Sequence, residues 1–379
     1  MASKSLIVKA LKKPNLAFKK GKRYLAHNIE DFIRILTQKD KLSEIVNQKE
    51  IRVTGMKRTG NHAIMNWVFM ASKSLIVKAL KKPNLAFKKG KRYLAHNIED
   101  FIRILTQKDK LSEIVNQKEI RVTGMKRTGN HAIMNWVKSQ HTGEVGFLNN
   151  VAANENPYRY KYENLQDNFP EHKWAIEHNR QQAKGYFIKR DCLIYSYEDF
   201  PLDQIASDKF EGNHDIYLGK SAIRYDLLIL RDPFNLLASR LKTSSKVSYF
   251  LSVNSQNKTM IDLWLDYAKE YLGETNYLKH NKICINYNQW FADIDYRRQI
   301  ADKLQMEFSD LGIDKVTGFG GGSSFEGKQF DGKGTSMDVL NRWQKVSDNP
   351  QYKQFFDREV LEYSEKIFGH IPGTESLIN

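Results

Sequence analysis

Lys126-Arg127-Thr128-Gly129-Asn130-His131 sets two full positive charges beside a hydroxyl, a glycine, an amide and an imidazole. These groups share one capacity, donating hydrogen bonds to an anion. Gly124 and Gly129 frame the run at the G-x-x-x-x-G spacing of the phosphate loop of nucleoside triphosphatases. In that motif Lys and then Ser or Thr follow the second glycine, and here Asn130 and His131 stand there. The lysine that reaches the outer phosphates is missing, as is the hydroxyl that holds magnesium. The cation has moved into the loop as Arg127. The loop therefore suits an anionic end group and does not suit Mg-dependent phosphoryl transfer. The plainer alternative is a glycine turn that only joins two elements.

Such a loop needs a strand before it and a helix after it. Ile120 to Thr123 reads as a short β-branched strand, and Ala132, Ile133, Met134 and Trp136 give the following helix an apolar face. That arrangement aims the loop's N–H groups and the positive end of the helix dipole at one spot. Beyond it, Val145–Asn149, Phe187–Tyr197, Tyr225–Leu230 and Lys282–Tyr287 read as strands. Asn97–Val115, Phe234–Leu241 (with Pro233 at its first turn), Met260–Leu278, Tyr296–Met306, Met337–Lys345 and Pro350–Phe368 read as helices. Asn149–Tyr162 reads as a loop over the site. Gly318–Gly334 reads as a glycine-rich lid, with a linker as the alternative. Strands alternating with helices predict an α/β fold with a mainly parallel sheet flanked by helices. Ligands in such sheets bind beyond the carboxyl ends of the strands. The glycine loop and Arg231 both fall at such ends.

Residues 1–68 recur without change as 70–137, with Phe69 between. Structural repeats diverge and have shorter periods, so this identity points to a very recent tandem duplication or an assembly artefact. The expected organisation is an extra copy at 1–69, either artefactual or an appendage, then a basic segment at 70–96 and one α/β domain at 97–379. Residues 1–68 carry 15 Lys and Arg against 5 Asp and Glu, so this one copy supplies +10 of the +16 formal charge. The remaining +6 describes a moderately basic enzyme and no nucleic-acid coat. The second copy joins directly to the rest of the fold, so it is expected to occupy the core, with Arg127 rather than Arg58 in the site. Cys192 and Cys284 lie in apolar runs and read as buried thiols, with neither a disulfide nor a zinc site implied. No apolar run is long enough to span a bilayer. The basic start lacks a signal peptide's apolar core, which gives a cytoplasmic expectation with at most weak peripheral membrane contact.

Two elements together carry a family resemblance. Arg127-Thr128-Gly129-Asn130-His131 follows one strand. Leu230-Arg231-Asp232-Pro233 follows another, with Ser239 eight residues after Arg231. The pair resembles sulfotransferases that use 3′-phosphoadenosine 5′-phosphosulfate (PAPS), over roughly residues 119–368. The resemblance implies a P-loop nucleotide-kinase-like fold and PAPS as donor, with no metal. It implies that Lys126, Thr128, Gly129, Asn130 and His131 hold the 5′-phosphosulfate, and that Arg231 and Ser239 hold the 3′-phosphate. Tyr287 looks like the family's adenine-bordering tyrosine, although Asn288 replaces the usual Glu. Lys328, Lys333 and Arg342 are implied contacts from the lid region. Arg231-Asp232-Pro233 has a plainer reading as a helix-start ion pair, and Tyr287 as core.

Sulfuryl transfer needs a cation at the leaving oxygen, assigned to Arg127 with Lys126 as second choice, and a general base for the acceptor hydroxyl. Where one branch of the family carries a His, this chain has Ile194 to Asp199. Glu198 is therefore the first candidate base, with His178 and Glu144 as rivals. A carbohydrate acceptor is favoured by the acidic base and by Tyr158, Tyr160 and Tyr162, whose rings could stack on sugars. The competing functions are a P-loop kinase of nucleotides or small molecules, and a basic nucleic-acid-binding protein. The first is opposed by the residues after Gly129. The second is opposed by the charge count and by the lack of a nucleic-acid motif.

Overall fold

The computed structural model describes residues 112–243, 258–316 and 325–377, together with His96, Glu99, Asp100, Arg103 and Ser323. The chain divides into two compact units, Met1–Gly90 and Lys91–Asn379. The first unit, and with it the extra copy and Arg58, lies outside the described residues.

Five strands form one sheet: β1 (Ile114–Gly124), β2 (Val145–Leu148), β3 (Arg190–Glu198), β4 (Lys220–Leu230) and β5 (Ile283–Asn286). Their order is β2-β3-β1-β4-β5, and every neighbouring pair is parallel. The central strand belongs to the second copy of the duplicated segment. The register aligns the carboxyl ends: Gly124 of β1 faces Glu198 of β3 and Ile229 of β4, and Leu230 faces Asn286 of β5. The residues that follow these ends, Met125, Asp199, Arg231 and Tyr287, therefore leave the sheet along one edge.

Alternation along the strands feeds two apolar layers. Ile120, Val122, Cys192, Ile194, Leu227 and Ile229 point to a layer shared with α1 (Asn130–Ser139). On the other face, Leu193, Tyr195, Tyr197, Leu228 and Leu230 pack into the larger layer. On this face β1 offers Glu119, Arg121 and Thr123, all buried in the middle of the sheet. Buried charges in a central strand require partners. Arg121 holds Asp226 through two hydrogen bonds of 2.7 and 3.0 Å and Glu211 through a third of 2.6 Å. Glu119 accepts from Tyr195 at 2.8 Å and meets His214 at 2.8 Å.

Several sequence expectations need correction. Ile114 and Val115 begin β1 rather than ending a helix. The rest of that expected helix is described at Glu99, Asp100 and Arg103, which are helical, and at Ser112 and Glu113, which are not α-helical. The expected loop over 149–162 holds as far as Asn156, and from Pro157 the chain forms α2 (Pro157–Asn168) instead. Asn156 caps it, its side chain accepting the N–H groups of Tyr158 and Arg159, and Pro157 supplies a first-turn φ. A further helix, α3 (Lys173–Ala183), was not anticipated. Between β3 and β4 run three short helices, α4 (Leu202–Ile205), α5 (Asp208–Gly212) and α6 (His214–Leu218). After β4 come α7 (Pro233–Thr243) and α8 (Met260–Tyr271), the latter closed by a Thr259/Asp262 capping box. The expected strand through Tyr287 stops at Asn286, and Tyr287 opens α9 (Tyr287–Ala292), followed by α10 (Ile294–Lys303). Around Met337–Lys345 the chain makes two 3-10 turns, Gly334–Ser336 and Arg342–Val346, instead of an α-helix. Pro350–Phe368 divides into α11 (Pro350–Lys353) and α12 (Arg358–Phe368). Residues 318–322 and 324 of the expected lid lie outside the described residues. Cys192 and Cys284 are unbridged, and burial pushes both thiols up, to about 12 and about 11. Among the described residues no helix is long and apolar enough to cross a membrane.

Candidate functional site

The loop between β1 and α1 turns through two left-handed residues, Arg127 at φ 72° and Gly129 at φ 97°. Left-handed positions among right-handed ones turn successive N–H groups to one side, which makes an anion-binding concavity. Gly129 also precedes α1, whose first N–H groups add to the same field. Lys126 and Arg127 are half-buried. Burial, the nearby Arg240 and Arg342 guanidiniums and, in the opposite sense, the Glu198 carboxylate all act on Arg127, and the balance lowers its pKa. Crowding of positive charge in a partly desolvated site favours an anion there.

Arg231, next after β4, is 2% exposed and bridges the loop to the C-terminal segment. It donates to the Arg127 carbonyl at 3.1 Å and to the Val339 carbonyl, while its Nε has no hydrogen-bond partner among the described residues. Its guanidinium lies 5.1 Å from the centroid of the Tyr287 ring, and Trp264 donates to its carbonyl at 2.9 Å. Ser239, on α7, is fully buried and accepts from Arg342 at 3.3 Å. Arg342 also meets Ser323 at 2.7 Å and Glu326 at 2.6 Å, and lies over the Phe325 ring. Arg342, itself paired with Glu326, thus brings a further guanidinium close enough to act on both Arg127 and Arg231.

Two of the loop's side chains, Asn130 and His131, are bonded to neighbouring protein groups. Asn130 donates to the Met125 carbonyl at 3.0 Å and to Glu198 at 3.2 Å. His131 meets Asn149 at 2.9 Å. The Thr128 hydroxyl is buried without a hydrogen-bond partner among the described residues. Tyr287 packs directly against Gly129, so a Cβ there would fall inside the ring's van der Waals envelope. Gly129→Ala combines that clash with a disfavoured φ, and is expected to cost about 2–4 kcal/mol. It should be made with Gly60→Ala, because the duplicate would otherwise offer an unaltered loop. Urea unfolding is the measurement, and Tyr287→Ala added to it should recover only the steric part.

The structure brings Lys126, Arg127, Thr128, Gly129, Asn130, His131, Glu198, Arg231, Ser239 and Tyr287 to one edge of the sheet. It does not bring His178 there. His178 stacks on Trp174 at 4.9 Å on α3, and its pKa is lowered by burial and by Arg190 at the opposite end of β3. Glu144 precedes β2 at that same far end, its carbonyl accepting from Asp191 and Cys192 at the start of β3. Lys328 and Lys333 are exposed on the turns before Gly334. Tyr158 is 2% exposed and bonded by Arg190, which removes its ring from any surface platform, whereas Tyr160 and Tyr162 are half-buried. Two residues given no function from sequence, Asp199 and Arg240, hold Lys126 from both sides. Their sequence signals were a second acid directly after Glu198 and an arginine directly after Ser239.

No family model and no curated protein matches the sequence. Among solved structures the chain is similar to the mouse sulfotransferase SULT7A1 complexed with PAP, at 10% identity over 71% of this chain and 91% of that one, with a TM-score of 0.37. It is similar to a sulfotransferase domain from the curacin biosynthetic pathway at 12% identity, over 67% of this chain and 98% of that one, with a TM-score of 0.40. A third is retinol dehydratase in complex with androsterone and inactive cofactor PAP, at 12% identity over 68% and 81%, with a TM-score of 0.31. Likenesses this distant leave the function to the site's own residues.

Proposed function

We propose that this site binds PAPS and transfers its sulfuryl group to a hydroxyl acceptor. One observation carries the reading. The buried Arg231 holds the glycine loop through the Arg127 carbonyl, and Arg342, bonded to Ser239, lies close enough to act on both Arg127 and Arg231, so the loop and the Ser239–Arg342 pair are two neighbouring candidate anion points. A nucleotide with an anionic group at each end of its ribose matches two such points. Among the buried polar atoms without a hydrogen-bond partner in the described residues, Thr128 Oγ1, Arg231 Nε and Arg342 Nε fit such a ligand in kind, since each can donate to a phosphate or sulfate oxygen.

In this proposal the acceptor oxygen bonds to sulfur as the bridging S–O bond breaks. The leaving phosphate oxygen takes the electron pair beside Arg127 and Lys126. Glu198 takes the acceptor's proton. Glu198 ends β3 next to Arg127, is 7% exposed, and is oriented by Asn130. Glu198→Gln keeps that shape and removes the base. Turnover should fall by about 10²–10⁴-fold while the affinity for adenosine 3′,5′-bisphosphate stays within a few-fold, as read by steady-state kinetics beside calorimetry. Near wild-type turnover would move the base elsewhere. A carbohydrate acceptor draws support from the acidic base and, more weakly, from Tyr160 and Tyr162. Neither nucleic acid nor a membrane enters the reaction, and no metal ligand is assigned.

The competing kinase reading needs a lysine and a hydroxyl after Gly129. Asn130 instead turns its amide back to Met125 and Glu198. Melting of the full chain with adenosine 3′,5′-bisphosphate, against ATP plus magnesium, separates the two, because a ligand of the folded state raises its melting temperature. A rise with the bisphosphate without metal is expected. A rise confined to Mg-ATP would replace the sulfotransferase reading with a kinase.

A further inference from the structure

The loop's conformation has a cost that its own sequence does not cover. A left-handed φ is natural for Gly129 but unfavourable for Arg127, whose Cβ crowds the following carbonyl. Such a residue persists only where its surroundings impose the shape. The surroundings here are specific. Asp199 Oδ1 accepts the Lys126 N–H at 3.0 Å, and Arg240 Nε donates to the Lys126 carbonyl at 3.1 Å. Asp199 and Arg240 are also paired with one another. One ion pair therefore grips both backbone polar groups of the residue before Arg127. Arg231 holds the next carbonyl, that of Arg127.

With both carbonyls tied to guanidiniums, neither of these peptide groups can flip without breaking a charge-assisted hydrogen bond. The N–H groups that follow stay turned to the opposite side. Asp199 is fully buried and Arg240 is 4% exposed. Asp199 is itself left-handed, at φ 62°, and its N–H donates to the Gly124 carbonyl at 3.2 Å. The end of β3 is thereby bolted to the start of the loop. Glu198 and Asp199, adjacent in sequence, separate two tasks: one carboxylate faces Arg127 and Asn130, and the other faces the loop's backbone.

We propose that Asp199 and Arg240 are positioning residues, an ion pair that presets the anion loop in its binding conformation before any ligand arrives. The proposal rests on the reading of this loop as an anion site. It assigns Arg240, despite its charge, to the loop's backbone rather than to the ligand. Binding then depends on the pair because a loop ordered in advance leaves less ordering to be done on association.

The test uses the full chain and the variants Asp199→Ala, Asp199→Asn and Arg240→Lys. Hydrogen exchange is followed in a peptide that covers the loop and runs past Val137 into Lys138, since shorter peptides are identical to ones from the first copy. Calorimetry with adenosine 3′,5′-bisphosphate is run in parallel. Loop exchange should quicken by about tenfold or more in Asp199→Ala and Arg240→Lys, with β4 protection unchanged. Affinity should fall by about tenfold in the same variants. Asp199→Asn keeps an oxygen for the Lys126 N–H and should recover part of both effects, which a general loss of packing would not allow. Unchanged loop exchange in Asp199→Ala and Arg240→Lys would overturn the proposal. So would faster exchange spread equally through β4, and Asp199→Asn supplies the same comparison if the other two fail to fold. If the wild type takes up no bisphosphate while loop exchange still rises in the variants, the positioning pair stands and the PAPS reading falls.

Discussion

Arg231→Ala is expected to abolish adenosine 3′,5′-bisphosphate binding and to lower the melting temperature by about 5–10 °C. Both effects have one origin. The guanidinium is 2% exposed and serves two carbonyls, Arg127 of the loop and Val339 of the C-terminal segment. Alanine leaves both without their donor, at about 1–3 kcal/mol for each group that stays buried. It also removes the cation over Tyr287, at 5.1 Å from the ring centroid. Burial lowers the pKa of this arginine, so the site holds its charge against a desolvation cost that a bound anion would offset. Arg231→Lys separates the two effects. A single ammonium cannot span both carbonyls as the planar fork does, so binding should fall sharply with a smaller loss of stability. Arg231 also lies outside the duplicated segment, which makes it a cleaner probe than Arg127. Full-strength binding in Arg231→Ala, measured by calorimetry on the folded variant, would remove the two-point anion site on which the proposed function depends.

The strand-loop-helix unit was legible because each of its signals is local. β-branched residues, two glycines five apart and an apolar helix face all fall within 17 residues of Ile120–Trp136. Strand β4 was legible because YDLLIL is apolar on both faces, as a parallel strand between two layers must be. Central strand β1 was read too short for the converse reason. The polar run Asn116 to Glu119 separated Ile114 and Val115, read as the end of a helix, from the strand read from Ile120, and the groups that let Asn116, Glu119 and Arg121 be buried lie far along the chain. Tyr195, His214 and Ser221 meet Glu119, and Asp226 meets Arg121. The α2 and α3 helices show little apolar periodicity, and Asn156 with Pro157 was the cap signal that marked the first of them. At the site, the anion loop and Arg231 could be placed from their positions at strand ends. The duties of Asp199 and Arg240 could not, because they exist only through a contact between residues 41 apart in sequence. Nor could the position of His178, which depends on which end of the sheet α3 packs against.

The buried Glu119–His214 pair should give the fold a pH dependence that one substitution can isolate. Burial alone would raise the Glu119 carboxyl, but His214, Arg224 and Ser221 outweigh it and hold it at about 2, from an ordinary 4.5. Burial alone would lower His214, but Glu119 and Asp215 raise it to about 8, from 6.5. The two directions act on opposite sides. A carboxyl whose folded pKa is depressed contributes stability that is full above pH 4.5 and is lost as pH falls towards 2. An imidazole whose folded pKa is raised contributes stability that is full below pH 6.5 and is lost as pH rises through 8. The pair's contribution is therefore complete between about pH 4.5 and 6.5. The alkaline loss should amount to about 2 kcal/mol, reached on passing from pH 6 to pH 9. Since it is the same interaction seen from two sides, the acid and alkaline losses do not add. His214→Gln keeps a donor for Glu119 without the charge. Urea unfolding at pH 6 and pH 9 should then show a clear stability difference in the wild type and a much smaller one in the variant. Equal slopes in the two proteins would mean that His214 is neutral in the fold, with Arg224 supplying the charge beside the buried carboxylate and Tyr195 and Ser221 donating to it.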